Sequence, residues 1–166
     1  MPRDTELHKA AYKGDVKTIT RLVKEGTDPN ERGASGRTAL QRACSSGKRE
    51  AVEFLLNNGG DPTTVDDAGR TALHYCAITG QNQIAKRLFA LGVDPNCITK
   101  SGQTALHFAA NSGQVEFASI LLAHQNIDRN IVDKKGNSAY DVAKNHRNKN
   151  KKMIKLLKPS SGCNIL

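Results

Sequence analysis

The sequence predicts an all-α solenoid of stacked helix–turn–helix pairs, and three observations lead to that fold class. A Thr-x-Leu segment recurs at Thr5, Thr38, Thr71 and Thr104, each 33 residues after the last. Apolar residues follow each threonine at the three- and four-residue spacing of a helix face. Aromatic residues make up only 4% of the chain and tryptophan is absent, so the core must be built from small aliphatic side chains. Thin helical layers suit such a core better than a wide sandwich does.

Each element of a repeat has its own sequence signal. A turn glycine stands two residues before a helix N-cap threonine, as in Gly69-Arg70-Thr71. A short helix follows and should end at a glycine, as at Gly80. A second helix follows, such as residues 82–92, and then an Asp-Pro pair forces an extended turn. Neither helix can bury its apolar face alone, so successive pairs must stack.

These repeats resemble the ankyrin-repeat family in their period, in the Thr-Ala-Leu-His pattern at Thr71 and Thr104, and in the Gly-x-Asp-Pro-Asn ending at Gly92. The resemblance covers about residues 4–158 and implies antiparallel helix pairs with β-hairpin loops projecting from one edge. A weaker fifth copy begins at Ser138, and Arg147 replaces the glycine expected there, so the first and last copies should be end caps. We predict an ankyrin-repeat domain over 1–158, a flexible tail over 159–166, and repeats at approximately 4–32, 33–65, 66–98, 99–132 and 133–158.

The candidates for chemistry favour structural roles. His8, His74 and His107 recur at one repeat position, so stacking should separate them by about 10 Å, too far to share a metal ion. We expect each to bond its own repeat's threonine and a neighbouring loop. Cys44 and Cys76 occupy small positions and should fill buried space. With no catalytic constellation in view, we expect neither enzymatic activity nor a metal nor a cofactor.

Family resemblance implies that protein partners dock on the concave face, made by hairpin tips and the ends of first helices. Arg37 and Arg70 lie one repeat apart on this face, and we hypothesise that they bind an acidic or phosphorylated partner segment. The chain itself we expect to be monomeric. The candidate partner-binding residues are Tyr12, Lys13, Arg37, Ser45, Ser46, Asp67, Arg70, Ile78, Thr79, Lys100, Gln103, Asn111 and Ser112.

Three loop asparagines, Asn30, Asn96 and Asn130, hold a position that the resemblance implies can be hydroxylated in animal ankyrin proteins. Pro or Arg precedes them here, where the family usually has Val. The alternative is that these side chains tie down their turns.

The net charge of +9 is concentrated at one end of the chain. Residues 144–166 hold seven of the 25 basic residues and no acid, which leaves 18 bases against 16 acids in the remainder. This distribution argues against a nucleic-acid surface spread over the domain. It indicates a patch for an anionic membrane or an acidic partner, formed by Lys149, Lys151, Lys152, Lys155 and Lys158.

The chain closes on Cys163-Asn164-Ile165-Leu166, which fits a prenylation signal of the geranylgeranyl type, although Asn164 is not aliphatic. The basic patch just upstream could supply the second signal that stable anchoring needs. Two other interpretations remain: an unmodified terminus, or a free terminal leucine bound by a peptide-recognition domain.

Two functions follow from these patterns. The first is a non-enzymatic adaptor, cytoplasmic and tethered to a membrane face by its prenylated tail. The second is a soluble inhibitor or scaffold, cytosolic or nuclear, with the tail as an import or acidic-partner patch. The absence of an apolar core near the N-terminus gives no indication of a secretory signal.

Overall fold

Helix pairs recur along the chain with the predicted spacing. The computed structural model describes residues 3–159, and this part of the chain forms an all-α stack that confirms the predicted fold class. Its ten α-helices are α1 (Glu6–Lys13), α2 (Val16–Lys24), α3 (Ala39–Ser45), α4 (Arg49–Asn57), α5 (Ala72–Thr79), α6 (Asn82–Ala90), α7 (Ala105–Ser112), α8 (Val115–Leu122), α9 (Ala139–Asn145) and α10 (Lys151–Leu157).

The first helix of every pair begins at a hydroxyl residue, as predicted. At Thr71 the hydroxyl and the backbone N–H both meet Nδ1 of His74, at 3.0 and 3.1 Å, which closes a capping box. The same box forms at Thr5, Thr38, Thr104 and Ser138. Glycines in the left-handed conformation end α1, α5 and α7 at Gly14, Gly80 and Gly113.

The core runs as columns through the stacked pairs. Leu7, Leu40, Leu73 and Leu106 of the first helices are at most 1% exposed. The second helices contribute a parallel column of Leu22, Leu55, Leu88 and Leu121. Cys44 and Cys76 are completely buried in this core, which confirms their predicted role as space-fillers, and burial raises the pKa of the Cys76 thiol well above its ordinary value.

The histidines fasten each repeat to the next loop, as predicted. Nε2 of His74 lies 3.3 Å from the carbonyl oxygen of Gln103, and burial lowers the pKa of this histidine to about 4. Asp141 takes this position in the last pair, where its carboxylate accepts the backbone N–H and the hydroxyl of Ser138. The equivalent contacts join His8 to the carbonyl of Arg37, Gln41 to that of Arg70, and His107 to that of Asn137.

The hairpin loops, which we define as residues 31–37, 64–70, 97–103 and 131–137, are tight turns rather than extended ladders. Within the described residues the only β-pairing is an isolated bridge between Val132 and Ser138. Each loop bonds to its neighbour through one backbone hydrogen bond. The N–H groups of Asp67, Lys100 and Lys134 donate to the carbonyls of Ser35, Ala68 and Ser101, at 3.1, 2.9 and 2.9 Å.

Within the described residues no loop precedes residues 31–37, and a side chain takes that place. Oδ1 of Asp4 accepts the N–H of Ala34 at 3.0 Å, the position from which later loops donate to a carbonyl. Its other oxygen pairs with Arg42 at 2.6 Å. The first repeat is therefore capped by a carboxylate.

Two of the three loop asparagines bridge successive turns on the opposite edge. Asn30 donates to the carbonyl of Gly59 at 2.8 Å and accepts the N–H of Asp61 at 2.7 Å. Asn96 makes the same two contacts with Asn126 and Asp128. Their amide groups therefore tie down consecutive turns.

The last pair departs from the repeat where Arg147 replaces glycine. Helix α9 ends at Asn145 and α10 begins only at Lys151, so a five-residue connection replaces the two- or three-residue turn of the other pairs. Met153 and Leu157 of α10 are 0% and 3% exposed, and Arg129 donates to the carbonyl of Leu156 at 3.1 Å. In the described part of the chain, every helix is too short or too polar to span a bilayer.

Candidate functional site

The thirteen candidate partner-binding residues all keep contact with solvent. Seven are exposed: Tyr12, Lys13, Asp67, Thr79, Lys100, Asn111 and Ser112. Six are half-buried: Arg37, Ser45, Ser46, Arg70, Ile78 and Gln103. The structure brings some of these side chains together on the concave face and leaves others apart.

Arg37 and Arg70 form an alternating row with two aromatic rings. The guanidinium carbon of Arg37 lies 5.3 Å from the ring centre of Tyr75, and that of Arg70 lies 5.8 Å from the same ring. Arg70 also lies 6.0 Å from the ring centre of Phe108. We call Arg37, Tyr75, Arg70 and Phe108 the stacked row. Each loop arginine thus rests on a first-helix aromatic residue of the following repeat.

The stacking leaves the hydrogen-bonding edges of both arginines unused. Within residues 3–159 neither guanidinium donates a hydrogen bond, and Nε of Arg37 is buried without a partner. The nearest acid, Asp66, lies 4.0 Å from Nε of Arg70, beyond hydrogen-bond distance. Both guanidinium groups therefore lie beside aromatic rings while their N–H groups have no hydrogen-bond partner among the described residues.

A buried hydrogen bond holds the Tyr75 side chain of the stacked row in place. The Tyr75 hydroxyl donates to Oδ2 of Asp66 at 2.6 Å. Oδ1 of Asp66 accepts the backbone N–H groups of Ala68 and Arg70, both at 2.8 Å. Burial and the neighbouring Asp66 raise the pKa of Tyr75 to about 12, so the phenol stays protonated at neutral pH.

A cleft opens where the stacked row ends. Gln103, Asn111, Asn137 and Arg147 contribute to its lining, and its volume is about 450 Å³. The cleft therefore joins two predicted partner-binding residues, Gln103 and Asn111, to the last repeat.

The concave face is basic. Lys100, Lys134 and Lys135 are exposed on its loops. The exposed acid Asp67 is paired with Arg32 at 3.3 Å, so its charge is partly offset.

Other candidates lie away from this row or are already engaged. Lys13 lines a separate cleft of about 340 Å³ with Lys48 and Arg49, at the turns between first and second helices. The hydroxyls of Ser45 and Ser46 donate to the carbonyl of Arg42 in their own helix. These hydroxyls are less available to a partner than the arginine edges are.

The basic patch lies at the end of the stack. Lys149, Lys151, Lys152, Lys155 and Lys158 are all exposed, while the apolar side of α10 packs inward. Cys163 lies outside the described residues. In the part of the chain that the structure describes, no cluster of His, Cys, Asp and Glu is arranged to hold a metal ion.

Sequence reasoning missed Tyr75, Phe108 and Val142. Each is the fourth residue of its first helix, in α5, α7 and α9. Comparing this position between repeats would have found them, because it carries two aromatic residues and then a small one. Their partners in the preceding loops could be assigned only once the repeats were stacked.

Comparison with known protein families identifies the family of this chain. A family model described as ankyrin repeats, in three copies, matches residues 7–99 and again residues 81–166. The chain belongs to the ankyrin-repeat family. Its ankyrin repeats form a protein–protein interaction domain. No curated protein matches the chain.

Proposed function

We propose that this ankyrin-repeat protein is a non-enzymatic adaptor that holds an acidic or phosphorylated segment of a partner protein on its concave face. The observation that supports it most directly is the pair of arginines held on the Tyr75 ring, at 5.3 and 5.8 Å. Neither guanidinium donates a hydrogen bond within the described residues; Nε of Arg37 is itself buried, so an anion would meet the remaining N–H groups of the two arginines.

Contact with an aromatic ring preorganises the two arginine side chains for binding an anion. An arginine normally loses side-chain entropy when it binds an anion, and stacking on a ring reduces that loss because the plane is already oriented. A bidentate arginine–carboxylate or arginine–phosphate pair then gains two charge-assisted hydrogen bonds. Two such arginines in one row favour a partner with several anionic groups over one with a single charge.

Charge reversal on the row tests the proposal. The double variant Arg37→Glu/Arg70→Glu should bind a fluorescein-labelled acidic peptide, Glu-Glu-Glu-Tyr-Glu-Glu-Glu, at least about tenfold more weakly in fluorescence anisotropy. A second peptide with phosphoserine in place of two glutamates distinguishes phosphate from carboxylate recognition. A third with glutamine throughout its flanks reports binding that does not depend on charge.

The matched control carries the same change in net charge elsewhere. Lys17 and Lys86 are exposed on second helices, and Lys17→Glu/Lys86→Glu removes as much positive charge from the molecule. We expect its peptide affinity to stay within about twofold at physiological salt, since exposed charges farther than about 8 Å are largely screened. If both double variants lose affinity equally, net charge alone explains binding and the arginine site is refuted.

We also propose that the tail tethers the adaptor to a membrane. Five exposed lysines at the end of the stack could add about 1 kcal/mol each on reaching an anionic leaflet, and Cys163 stands in a prenylation-like sequence. One lipid chain alone binds only marginally, so the two signals would act together.

The intact mass of the protein made in a prenylating eukaryotic cell tests the tether. Geranylgeranylation should remove the last three residues and add a lipid of about 20 carbons. Cys163→Ser is the matched control and should keep the full-length mass. Full-length unmodified mass for the native chain would reject the lipid anchor and favour the soluble scaffold, in which the basic tail serves as an import or acidic-partner patch.

A further inference from the structure

The fourth residue of the first helix and the residue nine positions before it, in the preceding loop, vary together in the second, third and fourth repeats. In the third repeat Tyr75 donates to Asp66, and in the second Arg42, which follows Gly33, pairs instead with Asp4 at 2.6 Å. In the fourth repeat an apolar ring, Phe108, accompanies Thr99, whose hydroxyl is already engaged by Ser101 and the N–H of Gln103. In all three repeats the base of the loop is satisfied.

The fifth repeat breaks this matching. Its loop carries Asp133, the counterpart of Asp66, but its first helix carries Val142 where Tyr75 stands two repeats earlier. Valine has neither a ring to fill the space nor a hydroxyl to donate. The cleft of about 450 Å³ opens at this point, and both Asp133 and Val142 line it.

Asp133 keeps one oxygen without a partner. Oδ1 accepts the backbone N–H groups of Lys135 and Asn137, at 2.9 and 3.0 Å, as Oδ1 of Asp66 does in its own loop. Oδ2 of Asp66 accepts the Tyr75 hydroxyl, whereas Oδ2 of Asp133 accepts no hydrogen bond from the described residues. Asp133 is 9% exposed and lines the cleft, and its Oδ2 is not among the buried oxygens that lack a partner, so this oxygen is open to the cleft.

The carboxyl group of Asp133 is charged at neutral pH. Burial acts to raise its pKa, but hydrogen bonds from Asn137 and Lys135 outweigh burial and hold the pKa below its ordinary value. An ionised carboxylate with an acceptor oxygen open to a cleft favours an incoming hydroxyl over an anion.

From this geometry we propose that the cleft over Val142 is a receptor for a tyrosine side chain of the partner, whose ring packs on Val142 and whose hydroxyl donates to Asp133. The inference rests on the proposed adaptor function, since it names the anchor residue of the segment held on the concave face. The partner's tyrosine would occupy the place that Tyr75 occupies within its own repeat.

Positive charge at the edge of the cleft favours particular residues next to that tyrosine in the partner. Lys135 and Arg147 are exposed at its edge, so acidic residues beside the tyrosine are favoured. Asp133, inside the cleft, disfavours negative charge on the tyrosine itself, because a phosphate there would face the Asp133 carboxylate and be repelled. The site should therefore prefer an unmodified tyrosine within an acidic segment.

Peptide anisotropy tests this preference on the full-length protein. The probes are Glu-Glu-Glu-Tyr-Glu-Glu-Glu and versions with Phe, Ala or phosphotyrosine at the centre. We expect the tyrosine peptide to bind about fivefold or more tightly than the phenylalanine peptide, because only tyrosine can satisfy Asp133. The alanine and phosphotyrosine peptides should bind more weakly still.

Two variants of Val142 provide matched controls. Val142→Tyr should fill the cleft from within and satisfy Asp133, while Val142→Phe fills it without supplying a donor. Both substitutions have a precedent in this chain, at Tyr75 and Phe108. In both variants the preference for tyrosine over alanine should vanish while charge-dependent binding of the acidic peptides remains.

The relative stability of the two variants is a readout that needs no peptide. Val142→Tyr should unfold at a higher urea concentration than Val142→Phe, because only the tyrosine hydroxyl reaches Asp133. Equal stability would overturn the assignment of Asp133 as a hydroxyl acceptor.

The peptide results separate the two proposals. If all acidic peptides bind the native protein equally and reversal of Arg37 and Arg70 weakens them, the tyrosine receptor is wrong and the adaptor proposal stands. If no acidic peptide binds at all, the proposed function fails and the tyrosine receptor fails with it.

Discussion

Asp4 accepts the backbone N–H of Ala34 at 3.0 Å and thereby takes the place of a loop that the first repeat lacks. Its other oxygen pairs with Arg42 at 2.6 Å. Replacing Asp4 with Ala should lower the free energy of unfolding by about 1–3 kcal/mol, since two partly buried donors lose their partner. Urea denaturation followed by circular dichroism measures the change.

A surface ion pair supplies the comparison for Asp4. Glu25 pairs with Arg21 at 2.8 Å, but the two side chains are 55% and 50% exposed. Glu25→Ala should therefore cost less than about 0.5 kcal/mol. If both variants cost the same, the Asp4 carboxylate is an ordinary surface acid and does not cap the first repeat.

The same cap gives stability a dependence on pH. Burial acts to raise the pKa of Asp4, but hydrogen bonds from Arg42 and Ala34 outweigh burial and lower the pKa below the ordinary 3.8. Its contribution is therefore present above that ordinary value and is lost as the pH falls through the folded-state pKa. Asp4→Ala should be less sensitive than the native protein to acid below about pH 4.

His74 should make the protein sensitive to mild acid. Its pKa is about 4 in the folded state, against 6.5 ordinarily, because burial disfavours the charged ring. Between these values the unfolded chain binds more protons, so stability is full above pH 6.5 and falls as the pH drops toward 4. We expect this histidine to account for about 2–3 kcal/mol of lost stability at pH 4.5.

Glutamine at this position isolates the effect. Gln41 already performs the same task in the second repeat, where it accepts the N–H of Thr38 and donates to the carbonyl of Arg70. His74→Gln should retain most of its stability at pH 7 and lose less of it than the native protein by pH 4.5. The same decrease in both proteins would show that His74 does not control the acid response.

The loop glycines provide a matched pair that separates backbone strain from packing. Gly69 and Gly136 hold the same loop position with φ of 79° and 78°. A Cβ atom at Gly69 would lie 2.8 Å from the backbone nitrogen of Lys100, whereas one at Gly136 would meet nothing within 4 Å. Gly136→Ala should cost about 1–2 kcal/mol from the left-handed conformation alone. Gly69→Ala should cost clearly more, and equal thermal midpoints for the two variants would contradict this contact.

Arg129 should control how firmly the last helix is held. It stands where other repeats have proline and donates to the carbonyl of Leu156 in α10. Arg129→Ala should speed amide hydrogen exchange in residues 151–157 by roughly two- to tenfold, the loss of one hydrogen bond. Lys155→Ala, on the exposed side of the same helix, should leave these rates unchanged.

The sequence predicts the repeat well because its signals are local. Thr71 and His74 are three residues apart, so a capping box and a helix start could be placed without knowing the tertiary structure. The joint role of the histidines also followed, since residues at one position of a 33-residue repeat meet the same neighbour in each copy.

The stacked row could not be predicted in this way. Arg37 and Tyr75 belong to different repeats, and their contact depends on the position of each loop relative to the first helix of the next repeat. The wider connection between α9 and α10 was also missed, since the loss of a glycine at Arg147 signals only that the tight turn is absent. The cleft over Val142 depends on the stacked row and on the connection between α9 and α10, because it lies between them.

The carboxylate of Asp4 has a further consequence for how molecules of this protein meet. A row of loops joined by successive N–H to carbonyl bonds is, like the edge of a sheet, a template on which another chain could continue. Asp4 occupies the donor at one end of that row, so a second molecule cannot add there by the bond that joins the loops internally. Removing the Asp4 carboxylate would leave the Ala34 N–H without its acceptor. A second molecule could then bond to this N–H, which would be a route to head-to-tail filaments.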